Sequence, residues 1–296
     1  MMGTGLTMMH SDDTPTWRSM DTQTRADAYS PSTALPDGNL MPYIEAYIER
    51  SAAAYQALPN IKTLRYGPGP SNTVDIALPD TPGTAPVPVH VFLHGGYWQE
   101  LSKRESFFAA PHMVARGCAF AAVDYTLAPA ATLPEIVTEC RAAVLAVRAH
   151  AAALGIDAQR LVLSGSSAGA HLAAMVCQTL PPEQRPAGVV LLSGVYDLEP
   201  LLGTYINDAV GLDLETAHAN SPARLDAAGF PPAIITFGGQ ETDEFKRQSR
   251  AFASHLRQAG ARVDLFETPG RNHFDIVFDL AEESPLVRKS AALAGQ

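Results

Sequence analysis

Cysteine is scarce in this sequence, and its scarcity limits the chemistry that the chain can perform. The 296 residues contain only Cys118, Cys140 and Cys177, and no two of them form a Cys-x-x-Cys pair. Neither a disulfide framework nor a zinc site is therefore indicated. All three lie in apolar surroundings, which predicts buried free thiols and a reducing, cytoplasmic setting.

Recognisable ligand clusters are missing as well. No group of histidines and aspartates has the spacing of metal ligands, and no glycine fingerprint for a dinucleotide follows a predicted strand. The sequence therefore predicts an activity that needs neither a metal nor a cofactor.

Positive charge is in the minority. The chain has 21 Lys and Arg against 31 Asp and Glu, a net charge of −10, and no basic run. This argues against nucleic acid and anionic membranes as partners, because both bind clustered Lys and Arg. No stretch approaches the ~18 apolar residues of a transmembrane helix, and the N-terminus lacks the basic start and apolar core of a signal peptide. We therefore expect a small-molecule substrate as the partner.

The rest of the sequence alternates apolar strands with amphipathic helices. Several strands are continuous apolar runs, which is typical of strands buried on both faces in a parallel sheet. This order predicts an α/β fold with a mostly parallel central sheet flanked by helices on both faces. The predicted strands are 74–78, Val87–Leu93, Ala119–Tyr125, Leu161–Ser164, Gly188–Ser193, Ala233–Phe237 and Arg262–Phe266, and the predicted helices are 41–58, Pro134–Ala153, Glu244–Gln258 and two that begin near Ala168 and Phe274.

The domain organisation is inferred from the places where this alternation fails. Residues 1–25 are rich in Thr, Asp, Met and Ser without periodicity, which predicts a flexible N-terminal arm. Residues 26–296 contain no repeat or linker and are predicted to form one domain. Within it, 198–230 breaks the pattern with Pro, Gly and Asn, which indicates a small lid-like excursion. The acidic, tyrosine-containing helix at 41–58 is a candidate surface for a homodimer.

The pentapeptide GSSAG at 165–169 carries the strongest functional signal. Alone it is weak, since about one chain in ten of this length would contain Gly-x-Ser-x-Gly by chance at average glycine content. Here it follows an apolar run and precedes a helix-like stretch. That arrangement holds a nucleophilic serine on a strained turn, for which the glycines supply positive φ and a close strand–helix approach. Ser167, at the centre, is the predicted nucleophile, and Ser166 merely precedes it.

A nucleophilic serine needs a base, and two histidines follow every candidate acid. His273 lies on the loop TPGRNHF after the strand that ends at Phe266, where an imidazole can reach the serine. His255 lies inside the predicted helix Glu244–Gln258 beside apolar residues and is expected to pack there. His273 is therefore the predicted base.

The orienting acid is predicted to be Glu241, with Asp243 as the alternative. Both follow the strand Ala233–Phe237. Thr242 is a suitable N-cap for the next helix, and Asp243 then lies in its first turn, where the helix dipole favours negative charge. Glu241 precedes the cap and lies on the loop from which an acid can reach the histidine. Asp197, after an earlier strand, is a third and weaker candidate.

A second motif offers hydrogen-bond donors for the oxyanion of the reaction. His94, Gly95 and Gly96 follow the strand Val87–Leu93, and glycines there let backbone N–H groups approach a reacting carbonyl. The N–H groups of Gly95, Gly96 and Ala168 are the predicted donors, and His94 is expected to orient the loop.

Two aromatic residues follow this loop. Tyr97 and Trp98 are candidate substrate-binding residues. For Trp98, simple packing is an equally strong expectation.

With these parts in place, the chain resembles the kynurenine formamidases (arylformamidases) of the α/β-hydrolase superfamily. The resemblance covers most of residues 40–280, and its motifs are HGGYWQ at 94–99, SSAGAHLAAM at 166–175, LSGVYDLEPL at 192–201, Asn-Ser-Pro at 220–222, EFKRQS at 244–249 and NHFDIV at 272–277. The GSSAG segment is shared with the wider hormone-sensitive-lipase-like esterases.

This resemblance implies an α/β-hydrolase fold and the hydrolysis of N-formyl-L-kynurenine to L-kynurenine and formate in tryptophan breakdown. Family members place the triad acid three residues before the Glu-Phe pair, which here is Glu241, whereas the animal enzymes usually carry Asp there. Asp243 stays open as the alternative.

Three hypotheses for the function follow. The first is an arylformamidase with the triad Ser167, His273 and Glu241. The second keeps those residues in a carboxylesterase for short acyl esters or another small amide. The third is a catalytically inactive hydrolase fold that binds a small ligand, which the presence of both the serine and the histidine disfavours.

Overall fold

A computed structural model of the protein describes residues 17–80 and 85–295. The strands are β1 (Ile61–Arg65), β2 (Thr73–Ala77), β3 (Val87–Leu93), β4 (Ala119–Val123), β5 (Ile156–Ser166), β6 (Gly188–Leu192), β7 (Ala233–Gly238) and β8 (Val263–Thr268). The α-helices are α1 (Thr22–Ala28), α2 (Met41–Ala57), α3 (Ala110–Ala115), α4 (Leu133–Ala149), α5 (Ala151–Leu154), α6 (Ala168–Thr179), α7 (Asn207–Val210), α8 (Leu214–Ala219), α9 (Asp243–Gln258) and α10 (Pro285–Leu293). Short 3-10 helices span Trp17–Ser19, Pro31–Ala34, Lys103–Glu105, Pro182–Gln184, Glu199–Leu201, Pro222–Arg224 and Ile276–Leu280.

The strands form an eight-stranded sheet in the order β1-β2-β4-β3-β5-β6-β7-β8. The β1–β2 and β2–β4 pairings are antiparallel, and the pairings from β4–β3 to β7–β8 are parallel. The prediction of a mostly parallel sheet is confirmed.

Helices cover both faces of this sheet. Along β6, Val189 and Leu191 belong to a buried cluster with side chains of α4, α6 and α9. Val190 and Leu192, which point the opposite way because side chains alternate along a strand, belong to a second cluster with side chains of α2, α3 and α10. Burial on both faces explains why the sequence of β6 is a continuous apolar run.

The chain order reverses across β3, which lies between β4 and β5. In open α/β sheets, ligands bind at the carboxyl ends of the strands beside such a reversal. The carboxyl end of β3 leads into His94–Gly96 and that of β5 into Ser167, and Leu93 is the register partner of Gly165. The sheet therefore brings the two predicted motifs to one edge.

The structure differs from the predicted elements at several places; for example, α3 was not predicted, and the predicted helix Pro134–Ala153 is divided into α4 and α5. Strand β1 was not predicted, because it is a partly exposed edge strand whose sequence IKTLR contains no continuous apolar run. Strand β5 is longer than the predicted Leu161–Ser164 and begins in polar sequence. The predicted closing helix near Phe274 is instead the 3-10 helix Ile276–Leu280 followed by α10, whose start is capped by Ser284.

The predicted N-terminal arm lies partly outside the described residues, in 1–16. Its remainder, 17–25, differs from the prediction because it is largely helical and is held to the rest of the protein. Trp17 is buried, and Arg25 Nη2 donates a 2.8 Å hydrogen bond to Leu202 O in the excursion at 198–230. These contacts join segments far apart in sequence, so local periodicity could not reveal them.

Two expectations from composition concern membrane spans and thiols. Within the described ranges, no helix combines the length and apolar character required to cross a bilayer. The three cysteines are buried and unpaired, as predicted. Burial raises the pKa of the Cys118 thiol to about 12, which keeps it protonated at neutral pH.

Candidate active site

Ser167 lies where strand β5 turns into helix α6. Its backbone has φ 56° and ψ −120°, a conformation that strains a residue with a Cβ by about 1–3 kcal/mol. Hydrogen bonds hold the turn: the Ser167 N–H donates to Leu192 O at 2.8 Å, and its carbonyl accepts the His171 N–H at 3.1 Å. The structure therefore places Ser167 in the sharp strand-to-helix turn that the pentapeptide predicts.

The two glycines of the pentapeptide allow the strand, the helix and the neighbouring loop to touch. A Cβ on Gly165 would lie 2.1 Å from Gly169 O, and a Cβ on Gly169 would lie 2.0 Å from Leu93 O. The predicted close approach is confirmed. The predicted positive φ, however, falls on Ser167 and on neither glycine.

His273 and Glu241 form a pair beyond the ends of β8 and β7. The His273 Nδ1 and Glu241 Oε2 atoms are 2.9 Å apart, and both residues are buried. The Nδ1–H then donates to the carboxylate, which leaves Nε2 as the proton acceptor. The histidine ring lies 4.4 Å from the ring of Phe245, and His273 lines the same cavity as Ser167.

The other candidates of the sequence lie elsewhere. Asp243 is exposed in the first turn of α9. Asp197 accepts a 2.9 Å hydrogen bond from Arg224 Nε. His255 Nε2 donates to the carbonyl of Leu225 at 2.9 Å. Of the predicted bases and acids, the structure thus pairs His273 with Glu241.

Thr242 anchors the loop that carries Glu241 (residues 239–242, the acid loop) through a contact that was not predicted. It occupies the N-cap position of α9, but its side chain makes no capping hydrogen bond. Its hydroxyl instead donates to Ala28 O at 2.7 Å. The residue after Glu241 is therefore tied to the N-terminal region.

Gly95, Gly96 and Ala168, whose N–H groups are the predicted oxyanion donors, lie in the loop and the helix next to Ser167. A Cβ on Gly95 would lie 3.3 Å from Ser167 Cβ and 3.0 Å from Ser166 O, so the glycine permits this approach. Gly96 has φ 91°, and both glycines line the cavity. Ala168 begins α6, where backbone N–H groups lack intrahelical acceptors and the helix dipole favours negative charge.

Tyr97 and Trp98 point to different environments. Tyr97 lines the cavity, and its hydroxyl donates to Tyr29 O at 2.6 Å. Trp98 is fully buried, and its indole N–H donates to His171 Nδ1 at 3.2 Å. The His171 Nε2–H in turn donates to Asn220 O at 2.7 Å. The predicted substrate contact of Trp98 is therefore wrong, and its packing role holds.

His94 contacts the glycine loop through hydrogen bonds and stacks on a neighbouring aromatic ring. Its Nδ1–H donates to Gly95 O at 3.0 Å, and its ring stacks on Tyr125 with centroids 4.1 Å apart. The Tyr125 hydroxyl returns a 2.9 Å hydrogen bond to His94 O. Burial lowers the pKa of His94 to about 4, so the ring is neutral near pH 7. This arrangement fits the expected orienting role.

The cavity in front of Ser167 has a volume of about 310 Å³. Sites for small ligands range from about 300 to 1,000 Å³. The walls are mostly aromatic and aliphatic, which suits a flat apolar group. The lining residues with such side chains are Pro31, Leu40, Ile44, Tyr47, Phe92, Tyr97, Leu101, Phe108, Tyr205, Ile206, Phe274 and Val277, and the polar ones include Ser32, Gln99, Glu100, Glu105 and Ser106.

Sequence reasoning missed the outer wall of this cavity. Pro31 and Leu40 come from the segment that precedes α2, Ile44 comes from α2 itself, and Tyr205 comes from the excursion. The helical spacing of Ile44 and Tyr47 was a visible signal for a packed face. It did not indicate that this face meets a ligand cavity.

Known proteins are similar to this chain in sequence and in fold. The sequence profile of the alpha/beta hydrolase fold family matches residues 90–276. The chain is 32% identical to the kynurenine formamidase of Danio rerio, over 92% of this chain and 96% of that protein. It is 29% identical to esterase LipQ of Mycobacterium tuberculosis, over 81% of this chain and 61% of that protein.

Solved structures agree with the fold. A candidate thioesterase from Silicibacter sp. tm1040 superposes with a TM-score of 0.77 at 29% identity, over 88% of this chain and 97% of that one. A hyperthermophilic esterase from Pyrobaculum calidifontis has a TM-score of 0.73 at 18% identity, over 86% of this chain and 92% of that one. The chain therefore belongs to the α/β-hydrolase family, in the group that includes kynurenine formamidases and hormone-sensitive-lipase-like esterases, and it is a hydrolase of amide or ester bonds.

Proposed function

We propose that this hydrolase is an arylformamidase that converts N-formyl-L-kynurenine to L-kynurenine and formate through an acyl-enzyme. The observation that carries the proposal is the 2.9 Å pairing of His273 Nδ1 with Glu241 Oε2 on the cavity that Ser167 also lines. The choice of a formamide is supported by the kynurenine formamidases of Danio rerio and Salmo salar, to which the chain is 32% and 31% identical.

In the first half of the reaction, Ser167 Oγ attacks the formyl carbon while His273 Nε2 takes its proton. The carboxylate of Glu241 stabilises the imidazolium that forms and keeps the ring in the correct tautomer. Negative charge then develops on the formyl oxygen, where the backbone N–H groups of Gly95, Gly96 and Ala168 can bind it. One such donor is worth about 3–4 kcal/mol of barrier. His273 next gives its proton to the nitrogen as the C–N bond breaks, and the aryl amine leaves.

In the second half, a water molecule attacks the formyl ester of Ser167. His273 takes a proton from the water and returns it to the serine oxygen as formate departs. The two halves use the same groups in opposite roles, as microscopic reversibility requires. Because an aryl amine is a better leaving group than an alkyl amine, machinery of the esterase type suffices for an anilide.

The cavity walls are consistent with an aryl leaving group. Phe92, Phe108 and Phe274 contribute aromatic surface, and Leu40 and Ile44 contribute aliphatic surface. Such walls bury a planar ring by apolar contact.

A second candidate is a carboxylesterase for short acyl esters or another small amide. It is supported by the esterase of Mycobacterium tuberculosis to which the chain is 29% identical. The same three residues would carry it. We also infer a reducing, cytoplasmic location, because the three cysteines are buried and unpaired.

A panel of four substrate types separates the two candidates. N-formyl-L-kynurenine and a formanilide are compared with the matching acetanilide and with a phenyl acetate, and kcat/KM is measured for each. The proposal expects N-formyl-L-kynurenine to be the best substrate and the acetanilide to be poor. A value for both formamides that lies orders of magnitude below that for the ester would establish the esterase instead.

A further inference from the structure

Ser193 lies directly after strand β6 and has an unusual conformation. It is fully buried, and its backbone adopts φ 50°, the left-handed region that is costly for a residue with a Cβ. Its N–H donates to Thr236 O on β7 at 2.8 Å, which fixes the backbone. Strained conformations of this kind persist where the surrounding structure requires them, often at functional sites.

The Ser193 hydroxyl is directed at the acid of the triad. Its Oγ lies 2.5 Å from Glu241 Oε1, and the Gly238 N–H donates to the same oxygen. The other oxygen, Oε2, faces His273 Nδ1 at 2.9 Å. Three donors on two oxygens leave the carboxylate a single favourable orientation, the one that meets the histidine.

Leu192, the residue before Ser193, contacts the nucleophile of the triad. Leu192 O, the last carbonyl of β6, accepts the N–H of Ser167 at 2.8 Å. Two successive residues of one strand end are thus bonded to the nucleophile turn and to the acid. Because a trans peptide separates successive Cα atoms by about 3.8 Å, this strand end fixes the two groups relative to each other.

We propose that Ser193 is a positioning residue of the hydrolase, which acts through Glu241 to hold the carboxylate against His273. The inference rests on the proposed role of the triad and is independent of whether the substrate is a formamide or an ester. Gly238 cannot replace it, because Gly238 is the last residue of β7, only three residues before Glu241, and its N–H does not tie the carboxylate to a second strand. Ser193 follows β6, and its hydroxyl therefore ties the carboxylate to a strand other than the one that leads to Glu241.

Two variants distinguish the effect of the Ser193 hydroxyl from the effect of its strained backbone conformation. Ser193→Ala removes the hydroxyl and keeps the strained Cβ, whereas Ser193→Gly removes the hydroxyl and relieves the strain. Loss of a hydrogen bond to a charged group predicts about a 10- to 100-fold fall in kcat for both, with KM within about twofold. Circular dichroism and thermal unfolding check that each variant is folded. A Ser193→Gly variant with full activity would overturn the inference, because the hydroxyl would then be dispensable.

A double-mutant cycle tests whether Ser193 acts through Glu241. Ser193→Ala is introduced into Glu241→Ala, and both backgrounds are assayed with a phenyl acetate and with N-formyl-L-kynurenine. If the serine acts through the carboxylate, adding Ser193→Ala to Glu241→Ala should lower kcat by less than about twofold. An equal cost in both backgrounds would contradict the role. Failure of the formamidase proposal would instead change which substrate is hydrolysed and leave this ratio unaltered.

Discussion

The nucleophile turn and the acid loop lie at the same edge of the sheet but are held by different means. At the turn, backbone approaches backbone: a Cβ on Gly169 would lie 2.0 Å from Leu93 O, and the Ser167 N–H bonds to Leu192 O. At the acid loop, the backbone bond from the Gln240 N–H to Arg271 O is supplemented by side-chain hydroxyls that reach distant segments. Ser193 bonds to Glu241, and the hydroxyl of Thr242 bonds to Ala28 O.

This difference determines what a sequence can reveal. A turn held by its own backbone needs particular residues at fixed spacing, so it leaves a motif. A loop that depends on single side-chain contacts with distant segments leaves no local motif, and its acid has to be inferred by elimination. Substitutions at the two places test this contrast, and their expected effects decrease from the nucleophile to a buried histidine beneath it.

Replacement of Ser167 should have the largest effect. Ser167→Ala removes the nucleophile and is expected to lower kcat by about 10⁴- to 10⁶-fold while the protein stays folded. The measurement is kcat/KM for the best substrate of the panel. Ser166→Ala serves as the comparison and should lose less than about tenfold. A loss of similar size in both variants would remove the assignment of the nucleophile.

The acid loop should respond almost as strongly, and only at one of its carboxylates. Glu241→Gln keeps the shape but presents the wrong hydrogen-bonding group to His273, which predicts about a 10³- to 10⁴-fold fall in kcat. Asp243→Asn changes an exposed residue of the first turn of α9 and should stay within about threefold. Steady-state kinetics of the two variants decides between them, and the reverse result would assign the triad acid to Asp243.

The backbone contact of the turn is tested by stability. Gly169→Ala places a methyl group 2.0 Å from Leu93 O and 2.6 Å from His94 O, so the turn must open. We expect a loss of at least about 3 kcal/mol in the free energy of unfolding.

The matched control for this substitution is Gly260→Ala. That site has φ 85° but nothing within 4 Å, so only the cost of the conformation, about 1 kcal/mol, applies. Urea unfolding measures both variants. Equal losses would mean that the close packing at the turn does not stabilise it.

His171, a buried histidine one turn after Ser167 in α6, should make stability depend on pH. Burial lowers the pKa of His171 to about 4, below the ~6.5 expected in the unfolded chain. The unfolded chain therefore binds the proton first as pH falls. The contribution of neutral His171 to the free energy of unfolding is complete above about pH 6.5. It is lost as pH falls toward 4, at about 1.4 kcal/mol per pH unit.

The comparison is made by urea unfolding at pH 7 and pH 5. The His171→Gln variant should lose about 2 kcal/mol less than the unchanged protein over this interval. His150 is exposed, and His150→Gln should leave the difference between the two pH values as it is. A pH dependence that His171→Gln does not reduce would show that protonation of this histidine is not its cause.

Much of the fold could be predicted, since buried parallel strands are continuous apolar runs. The bounds of Val87–Leu93 were predicted without error. The partly exposed edge strand β1 and the helix α10 escaped, because neither has a long apolar pattern. In the site, the order of serine, acid and histidine along the chain named the pair that the structure joins. Ser193 was not found, since a serine after a strand has no feature that distinguishes an anchor from a turn residue.

The outer wall of the cavity has a consequence for how such an enzyme changes its substrate. Pro31, Ser32, Leu40 and Ile44 all precede residues 90–276, the region that matches the family profile. Part of the outer wall is thus encoded before the reacting groups, whereas Tyr205 is encoded between them. Exchange of residues 31–44 between relatives is therefore expected to alter selectivity while Ser167, Glu241 and His273 stay unchanged.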